Sequence, residues 1–228
     1  DSVGGGVCQI ATTLYDASLA AELEITQRQN HSMIVTYVKP SMDAAIAGDY
    51  KDLRFVNNQD IPIYIEGYTE GKNVTFKIYG HDTRPSNRVV TYESEVVSEQ
   101  DPGTQYVATG DPAGYMKTAQ GKHIGYVARL WKVVTVDGVE ESREIFNKST
   151  YKASPKIVNV GTASADPNVS AVIGAALATG DEATINAAVA PYAASAAAIL
   201  NPAPVEQPSQ EEQAITGTVD ESQITGGE

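Results

Sequence analysis

The sequence predicts an α+β domain, with one helix against an antiparallel sheet, then an elongated all-β module and a disordered acidic tail. Three observations support this division. Apolar residues recur at helical spacing near the start of the chain, and alternating strand patterns follow to about residue 162. Residues 163–228 contain no Lys or Arg. We therefore divide the chain into residues 1–85, 86–162 and 163–228.

Composition excludes several classes of function. The 228 residues carry a formal net charge of −13 and a sequence pI near 4.6, which disfavours binding to nucleic acids and anionic membranes. No stretch approaches the roughly 20 apolar residues of a membrane span, and the single Cys excludes an internal disulfide. The chain begins with Asp1 and has no leader pattern, so we expect a piece of a longer protein that is exported or anchored through its missing N-terminal part.

In residues 1–85, the spacing of Ile10, Leu14, Ala17 and Ala21 predicts a helix from about Val7 to Glu22. Segments rich in Val, Ile, Tyr and Phe follow, and these predict strands. The predicted strands are Met33 to Val38, Leu53 to Val56, Ile61 to Tyr68 and Val74 to Tyr79, the last two joined by a turn at Glu70-Gly71-Lys72.

Residues 86–162 are almost entirely strand-like, with dispersed aromatic residues that favour a thin core. The dipeptide Asp137-Gly138 predicts a tight hairpin between the two longest strands. The predicted strands are Val89 to Val97, Gln105 to Thr109, Ile124 to Val136 and Val139 to Phe146.

Residues 163–228 divide into an Ala-rich half and a Pro/Gln/Glu-rich half. Asp181 could cap a helix over Glu182 to Leu200, although Pro191 would interrupt it. The residues are too small to bury much area, and we expect most of this segment to be disordered.

Cys8 is the candidate nucleophile. It follows Gly4-Gly5-Gly6 at the predicted start of the helix, where free N–H groups and the helix dipole favour a thiolate. Gly5 and Gly6 would let the backbone approach a substrate, and the N–H groups beside Cys8 could hold an oxyanion. Gln9 completes this group of candidate substrate-binding residues. The alternative is that Cys8 is a small buried apolar residue.

A thiolate needs a proton-transfer partner, and the chain has three His residues. His31 enters the strand predicted from Met33, so it is the candidate base, while His81 and His123 are expected on the surface. Asp43 is the candidate group that orients the imidazole, with a turn role as its alternative.

Arg54 could grip a substrate carboxylate, or it could pair with Asp49 or Asp52. Tyr37 could line the cleft, although packing is its alternative role. The scattered His and Cys residues offer no recognisable zinc spacing, and we expect no metal or other cofactor.

Residues 2–80 resemble the VanW family, because many separated positions agree in order. The positions are Gly4-Gly5-Gly6-Val7-Cys8-Gln9, Thr13-Leu14-Tyr15, Glu24-Ile25, Arg28, His31-Ser32, Tyr37-Val38, Asp43-Ala44, Asp52-Leu53-Arg54-Phe55 and Asn57-Asn58. The family is named from a glycopeptide (vancomycin) resistance cluster, and its members are exported proteins of Gram-positive bacteria. Some members form an atypical class of L,D-transpeptidase with a Cys nucleophile at the position of Cys8. The resemblance implies attack by Cys8 on a tetrapeptide stem, loss of D-alanine and transfer to another stem. Few residues precede the glycines here, so the domain is expected to be N-terminally truncated.

Residues 88–162 resemble the G-five (G5) module of bacterial surface proteins, which frequently follows VanW domains. The resemblance rests on Glu93-Ser94-Glu95-Val96-Val97, Gly121-Lys122, Lys132-Val133-Val134, Val136-Asp137-Gly138, Glu141-Ser142-Arg143-Glu144 and Val160-Gly161-Thr162. It implies an elongated β-rich spacer or wall-binding arm, with glycans containing N-acetylglucosamine as a proposed ligand.

Two functions follow from these expectations. The first is thiol-dependent transpeptidation of peptidoglycan stem peptides in a cell wall, with hydrolysis as a variant that uses the same acyl-enzyme. The second is binding of peptidoglycan or glycopeptide without turnover, with a structural Cys8. Both place the chain outside the cell or in the cell wall.

Overall fold

The computed structural model describes residues 5–201, in which helices lie at the two ends and strands lie between them. The helices are α1 (Val7–Ala20), α2 (Pro167–Thr179), α3 (Glu182–Val189) and α4 (Ala193–Leu200), with a 3₁₀ turn at Ala190–Tyr192. The strands are β1 (Glu24–Gln27), β2 (Arg54–Val56), β3 (Tyr64–Glu70), β4 (Asn73–Tyr79), β5 (Arg88–Gln100), β6 (Thr104–Pro112), β7 (Met116–Gln120), β8 (Gly125–Val136), β9 (Val139–Tyr151) and β10 (Lys156–Ala163).

The N-terminal helix and the antiparallel strands are confirmed, but the strands of the first segment do not form one sheet. They form two separate antiparallel pairs, β1 with β2 and β3 with β4. Strand β1 was not predicted, since its four residues are too short to show a pattern. The helix begins after Gly6, which occupies the N-cap position.

The strand predicted over Met33 to Val38 is wrong, because this segment is an irregular loop. Ser32 O accepts a hydrogen bond from Lys152 N of the loop after β9 at 2.7 Å, so the start of the segment pairs elsewhere. Met33 and Tyr37 are 43% and 42% exposed, which leaves no buried face for a strand. Ser41 has a φ of 67°, a left-handed conformation that helps the loop turn back toward α1.

The second segment contains two three-stranded sheets. Strands β5, β8 and β9 form an antiparallel sheet in the order β5-β8-β9, and β10 lies between β6 and β7, parallel to β6. The predicted hairpin at Asp137-Gly138 is confirmed, with both residues at positive φ, as a type I′ turn requires. Strands β7 and β10 were not predicted.

The first two segments share one hydrophobic core. Tyr15 and Leu19 of α1 pack with Ala44 and with Leu130 of β8, and all four are buried. Tyr92 of β5 extends this cluster on the side of the second segment. The domain boundary between residues 85 and 86 stays a prediction. Side chains from both sides of this boundary pack into the same hydrophobic core.

An ion cluster around Glu22 also joins the two segments. The carboxylate of Glu22 lies 2.6 Å from Arg88, 2.9 Å from Lys132 and 3.2 Å from Arg84, with its side chain only 11% exposed. The hydrogen bonds from Arg88 and then from Lys132 and Arg84 outweigh the effect of burial and lower the pKa of Glu22 to about 2.

We expect Glu22→Gln to lower the free energy of unfolding by about 2 kcal/mol at pH 7, because three cations lose their shared anion. The folded pKa lies below the ordinary value, so the stabilisation is present above pH 4.5 and is lost as the pH falls toward 2. Urea unfolding at pH 7 and pH 3 checks both points. Glu70→Gln, at an exposed position of the β3–β4 turn, is the control. Equal stability of the two variants at pH 7 would contradict the expectation.

The predicted disorder does not extend over residues 163–200, which complete β10 and form α2, α3 and α4. The side-chain carboxylates of Asp166 and Asp181 accept hydrogen bonds from backbone N–H groups in the first turns of α2 and α3. Gly180 ends α2 in a left-handed conformation. Ile173 and Ile185 are fully buried against Val160 of β10, so few apolar residues suffice to dock the helices. The predicted break at Pro191 is confirmed. The Pro/Gln/Glu-rich part of the tail, from residue 202, lies outside the described residues.

The segment Glu182–Leu200 meets the criteria of length and mean hydropathy for a membrane span. It comprises α3, the 3₁₀ turn and α4, and Val189 and Ala196 are buried in the fold. Length and composition alone make this a weak candidate for a span.

Candidate active site

Cys8 lies in the first turn of α1 and is half-buried. Its Sγ atom lies 3.5 Å from both the backbone N and O of Ile46. One turn further along α1, Thr12 Oγ1 accepts a hydrogen bond from Ala44 N at 3.0 Å and donates to Ala44 O at 3.3 Å. The loop that contains Asp43 therefore runs along the face of α1 that carries Cys8.

The structure brings His31 and Asp43 together. Asp43 Oδ2 accepts hydrogen bonds from His31 Nδ1 and from the His31 backbone N–H, both at 2.7 Å. The Asp43 side chain is fully buried, whereas that of His31 is 19% exposed. Because a carboxylate only accepts hydrogen bonds, this contact assigns a proton to Nδ1.

Two further side chains hold the other oxygen of Asp43. Arg28 Nη2 donates to Asp43 Oδ1 at 2.9 Å, and the hydroxyl of Tyr151 donates to the same atom. Burial alone would raise the pKa of Asp43, but the hydrogen bonds from Tyr151 and His31 and the charge of Arg28 hold it below its ordinary value. Asp43 is thus a charged, desolvated anchor for the imidazole.

Sequence reasoning gave no role to Arg28 or Tyr151. Arg28 is among the residues that carry the family resemblance, but the sequence assigned no function to it. Tyr151 lies 108 residues from Asp43 in the chain and in another module, so no local pattern could connect the two.

Tyr37 contacts the candidate base His31 edge-on, with ring centroids 6.2 Å apart. Its hydroxyl is 3.4 Å from His31 Nε2. Burial raises the pKa of Tyr37. The hydrogen bond with the Thr12 side chain lowers this pKa, and the charges of Cys8 and Asp43 raise it further. Within residues 5–201, no hydrogen bond joins Cys8 to His31, and the contacts of Cys8 Sγ are with Ile46.

The other candidate residues have different positions. Gly6 and Gln9, which flank Cys8 in the sequence, line a groove of about 200 Å³ with residues of the β3–β4 turn, including Lys72. Among residues 5–201, no atom lies within 4 Å of a Cβ atom added at Gly5 or Gly6. Arg54 forms an ion pair with Asp52 at 2.8 Å, and its side chain is 68% exposed. Pairing with Asp49 or Asp52 was the alternative to binding a substrate carboxylate.

In residues 5–201, no group of three His, Cys, Asp or Glu side chains is arranged to hold a metal ion. Cys8, His31 and Asp43 supply a thiol, an imidazole and a carboxylate.

Asp16 of α1 is an additional titratable group near the site. Its Oδ1 atom is buried without a hydrogen-bond partner. Burial, followed by the negative charge of Asp43, raises the pKa of Asp16 to about 7, against the opposing charge of Arg28.

We expect Asp16→Asn to stabilise the protein above pH 7. The folded pKa lies above the ordinary value, so the contribution of Asp16 is fully present below about pH 4 and is lost as the pH rises through about 7. The melting temperature of the wild type should therefore fall relative to that of the variant between pH 5 and pH 9. The exposed Asp49→Asn serves as a control that should follow the wild type. A constant difference between Asp16→Asn and the wild type over this range would contradict the expectation.

Comparison with known proteins agrees with the order of the two modules. Residues 1–79 match the family model described as VanW like protein, and residues 88–163 match that of the G5 domain. The chain combines a VanW-like domain with a G5 domain. These two domains are typical of cell-surface and cell-wall-associated proteins of bacteria.

The VanW-like domain has a relative in Bacillus subtilis (strain 168), the uncharacterized protein YoaR. The two are 38% identical over 82 residues, which are 36% of this chain and 27% of YoaR. The chain thus matches only about a quarter of the length of this relative.

The G5 domain is similar to two solved structures. The G5 domain of an IgA1 protease is 26% identical, with a TM-score of 0.25, over 34% of this chain and 94% of that one. The G5 domain of HP0197 is 14% identical, with a TM-score of 0.21, over 33% of this chain and 100% of that one.

Proposed function

We propose that the VanW-like domain catalyses acyl transfer between peptidoglycan stem peptides, as an L,D-transpeptidase with Cys8 as its nucleophile. The observation that carries this proposal is the hydrogen bond of 2.7 Å between His31 Nδ1 and the buried carboxylate of Asp43. A nucleophile, an imidazole and a carboxylate that orients it are the parts of a catalytic triad.

In the first step, His31 Nε2 accepts the proton of the Cys8 thiol, and the thiolate attacks the carbonyl carbon of the amide that joins the third stem residue to D-alanine. The oxyanion that forms would lie next to the N–H groups at the start of α1, beside the exposed Gly5 and Gly6. The C–N bond then breaks, and D-alanine leaves with a proton from His31. The product is a thioester on Cys8.

In the second step, the side-chain amine of another stem's diaminopimelate attacks the thioester. His31 Nε2 accepts the proton from the amine, the C–S bond breaks and the thiolate of Cys8 returns. Asp43 holds the ring in the tautomer that both steps need and stabilises its charged form. Attack by water in place of the amine would give hydrolysis.

Substrate binding must move Tyr37, because its hydroxyl faces His31 Nε2. Tyr37 is 42% exposed, so rotation away from the ring disturbs little packing. Catalytic hydrogen bonds commonly tighten only when substrate binds. The groove between α1 and the β3–β4 turn offers Lys72 as a cation for a carboxylate of the stem.

The protein would act in the envelope of a Gram-positive bacterium, outside the membrane. The G5 domain would bind glycan that contains N-acetylglucosamine or would space the site from the cell surface. Binding of stem peptide or glycopeptide without turnover is the second candidate function, because Cys8 also packs against Ile46 as a structural residue would.

Incubation of the protein with disaccharide tetrapeptide, followed by chromatography and mass analysis of the products, tests the proposal. Release of D-alanine with formation of a 3–3 crosslinked dimer supports transfer, and release with free tripeptide supports hydrolysis. Binding of the tetrapeptide without any release of D-alanine would favour the non-catalytic function.

A further inference from the structure

We propose that the G5 domain completes the candidate active site of the VanW-like domain, with Tyr151 and Ser149 of β9 as positioning residues for the Asp43–His31 pair. The effect of this positioning on catalysis rests on the proposed function. The structural content of the inference, that β9 sets the geometry of His31, is independent of turnover.

Three alternate residues of β9 face the loop that contains Asp43. Asn147 Nδ2 donates to Tyr15 OH at 2.8 Å and to Ser41 O at 3.2 Å. Ser149 Oγ accepts from Arg28 Nη1 at 2.9 Å, and Tyr151 donates to Asp43 Oδ1. Residues at this spacing point to the same side of a strand, so β9 presents one polar face to the site.

Tyr151 fixes the loop at two points. Its hydroxyl accepts a hydrogen bond from Ser41 N at 2.8 Å while it donates to Asp43 Oδ1. The side chain is 2% exposed, so water does not replace it as a donor. One hydroxyl group of the G5 domain thus sets both the backbone before Asp43 and the direction of its carboxylate.

Ser149 acts through Arg28. The guanidinium of Arg28 is held between Ser149 Oγ and Asp43, with Nε 2.6 Å from Asp43 O and Nη2 2.9 Å from Asp43 Oδ1. A bidentate contact of this kind needs a fixed guanidinium plane, which the third hydrogen bond to Ser149 provides.

The backbone of β9 and of the residue that follows it forms hydrogen bonds with both sequence neighbours of His31. Thr150 O accepts from Asn30 Nδ2 at 2.8 Å, and Lys152 N donates to Ser32 O at 2.7 Å. Strand β9 is at the edge of its sheet, so these groups have no partner strand on that side. Asn30 and Ser32, on either side of His31, therefore form hydrogen bonds with backbone groups at the edge of the G5 sheet. These hydrogen bonds hold His31 in place.

Removal of the Tyr151 hydroxyl by Tyr151→Phe tests the proposal, because the ring and its packing stay. Tyr126→Phe is the matched control, since Tyr126 pairs directly with Tyr151 across β8 and β9 and its hydroxyl has no hydrogen-bond partner among residues 5–201. Ser149→Ala is a second test variant, which carries the test if Tyr151→Phe does not fold.

The first readout does not depend on activity. Nitrogen-15 NMR of the imidazoles reports the tautomer of His31 and the exchange of its Nδ1 proton, with His81→Gln and His123→Gln used for assignment. We expect Tyr151→Phe to shift and broaden the Nδ1 proton signal of His31, and Tyr126→Phe to leave it unchanged.

The second readout is the release of D-alanine as a function of pH. We expect about a tenfold loss of kcat/KM in Tyr151→Phe. The acid limb of its profile should move to higher pH by up to about one unit, because Asp43 loses a donor to its charged form. The other groups facing Asp43, which both variants keep, are Arg28, His31, Asp16 and Tyr15.

A folded Tyr151→Phe variant with the wild-type His31 signal would overturn the proposal. If the wild-type protein released no D-alanine, the proposed function would fail, and the NMR comparison alone would decide whether β9 positions His31.

Discussion

Cys8→Ser is expected to release D-alanine at least about 10³-fold more slowly than the wild type, with a nearly unchanged melting temperature. A Ser hydroxyl is a much weaker nucleophile than a thiolate. The contacts of Sγ with Ile46 are long, at 3.5 Å, so their loss changes stability little. Release of D-alanine and thermal unfolding of the same samples check this expectation.

Alkylation provides a matched control, because Cys8 is the single Cys of the chain. Iodoacetamide should inactivate the wild type and leave the residual rate of Cys8→Ser unchanged. Binding of the tetrapeptide should persist in Cys8→Ser, since the groove residues are intact. Equal rates of D-alanine release in the two proteins would exclude Cys8 as the nucleophile.

Asp43→Asn is expected to lower the free energy of unfolding by about 3–5 kcal/mol and the catalytic rate by about 10³- to 10⁴-fold. The Arg28 side chain is 6% exposed and would lose the charge that balances it. An amide in place of the carboxylate also presents donors where Arg28, Tyr151 and His31 already donate. Denaturant unfolding at pH 7 and D-alanine release measure the two effects separately.

Asp52→Asn is the matched control for Asp43. Asp52 also pairs with an Arg, but both side chains are exposed, so its loss should change the melting temperature little. A similar small effect of Asp43→Asn would contradict the interpretation of Asp43 as a buried anchor.

Much of the local structure could be predicted from the sequence. The spacing of apolar residues predicted α1, and Asp137-Gly138 predicted the β8–β9 hairpin, because both depend on neighbouring residues. Asp181 and Pro191 likewise predicted the start and the interruption of the last helical segment. The short strand β1 and the loop over Met33 to Val38 could not be predicted, since their conformation depends on partners distant in the chain.

The contact of His31 with Asp43 agrees with the pairing expected from their order, whereas the supports of that pair were missed. Tyr151 reaches Asp43 because the G5 sheet packs on α1 through Leu130, whereas Arg28 follows β1 within the VanW-like domain. The contact between Tyr151 and Asp43 joins two segments that the sequence predicts to have separate cores, so no pattern within either segment indicates it. The position of Tyr37 against His31 Nε2 is equally a result of tertiary packing.

If Cys8 forms a thioester with a stem peptide, intact-protein mass spectrometry should detect the adduct. The protein and its Cys8→Ser variant would be mixed with a tetrapeptide stem that ends in D-alanine, quenched in acid and weighed, and the adduct mapped by proteolysis. We expect an added tripeptide acyl group on Cys8 of the wild type and none on the variant. An absent adduct in both proteins, with bound tetrapeptide still recovered intact, would contradict this expectation.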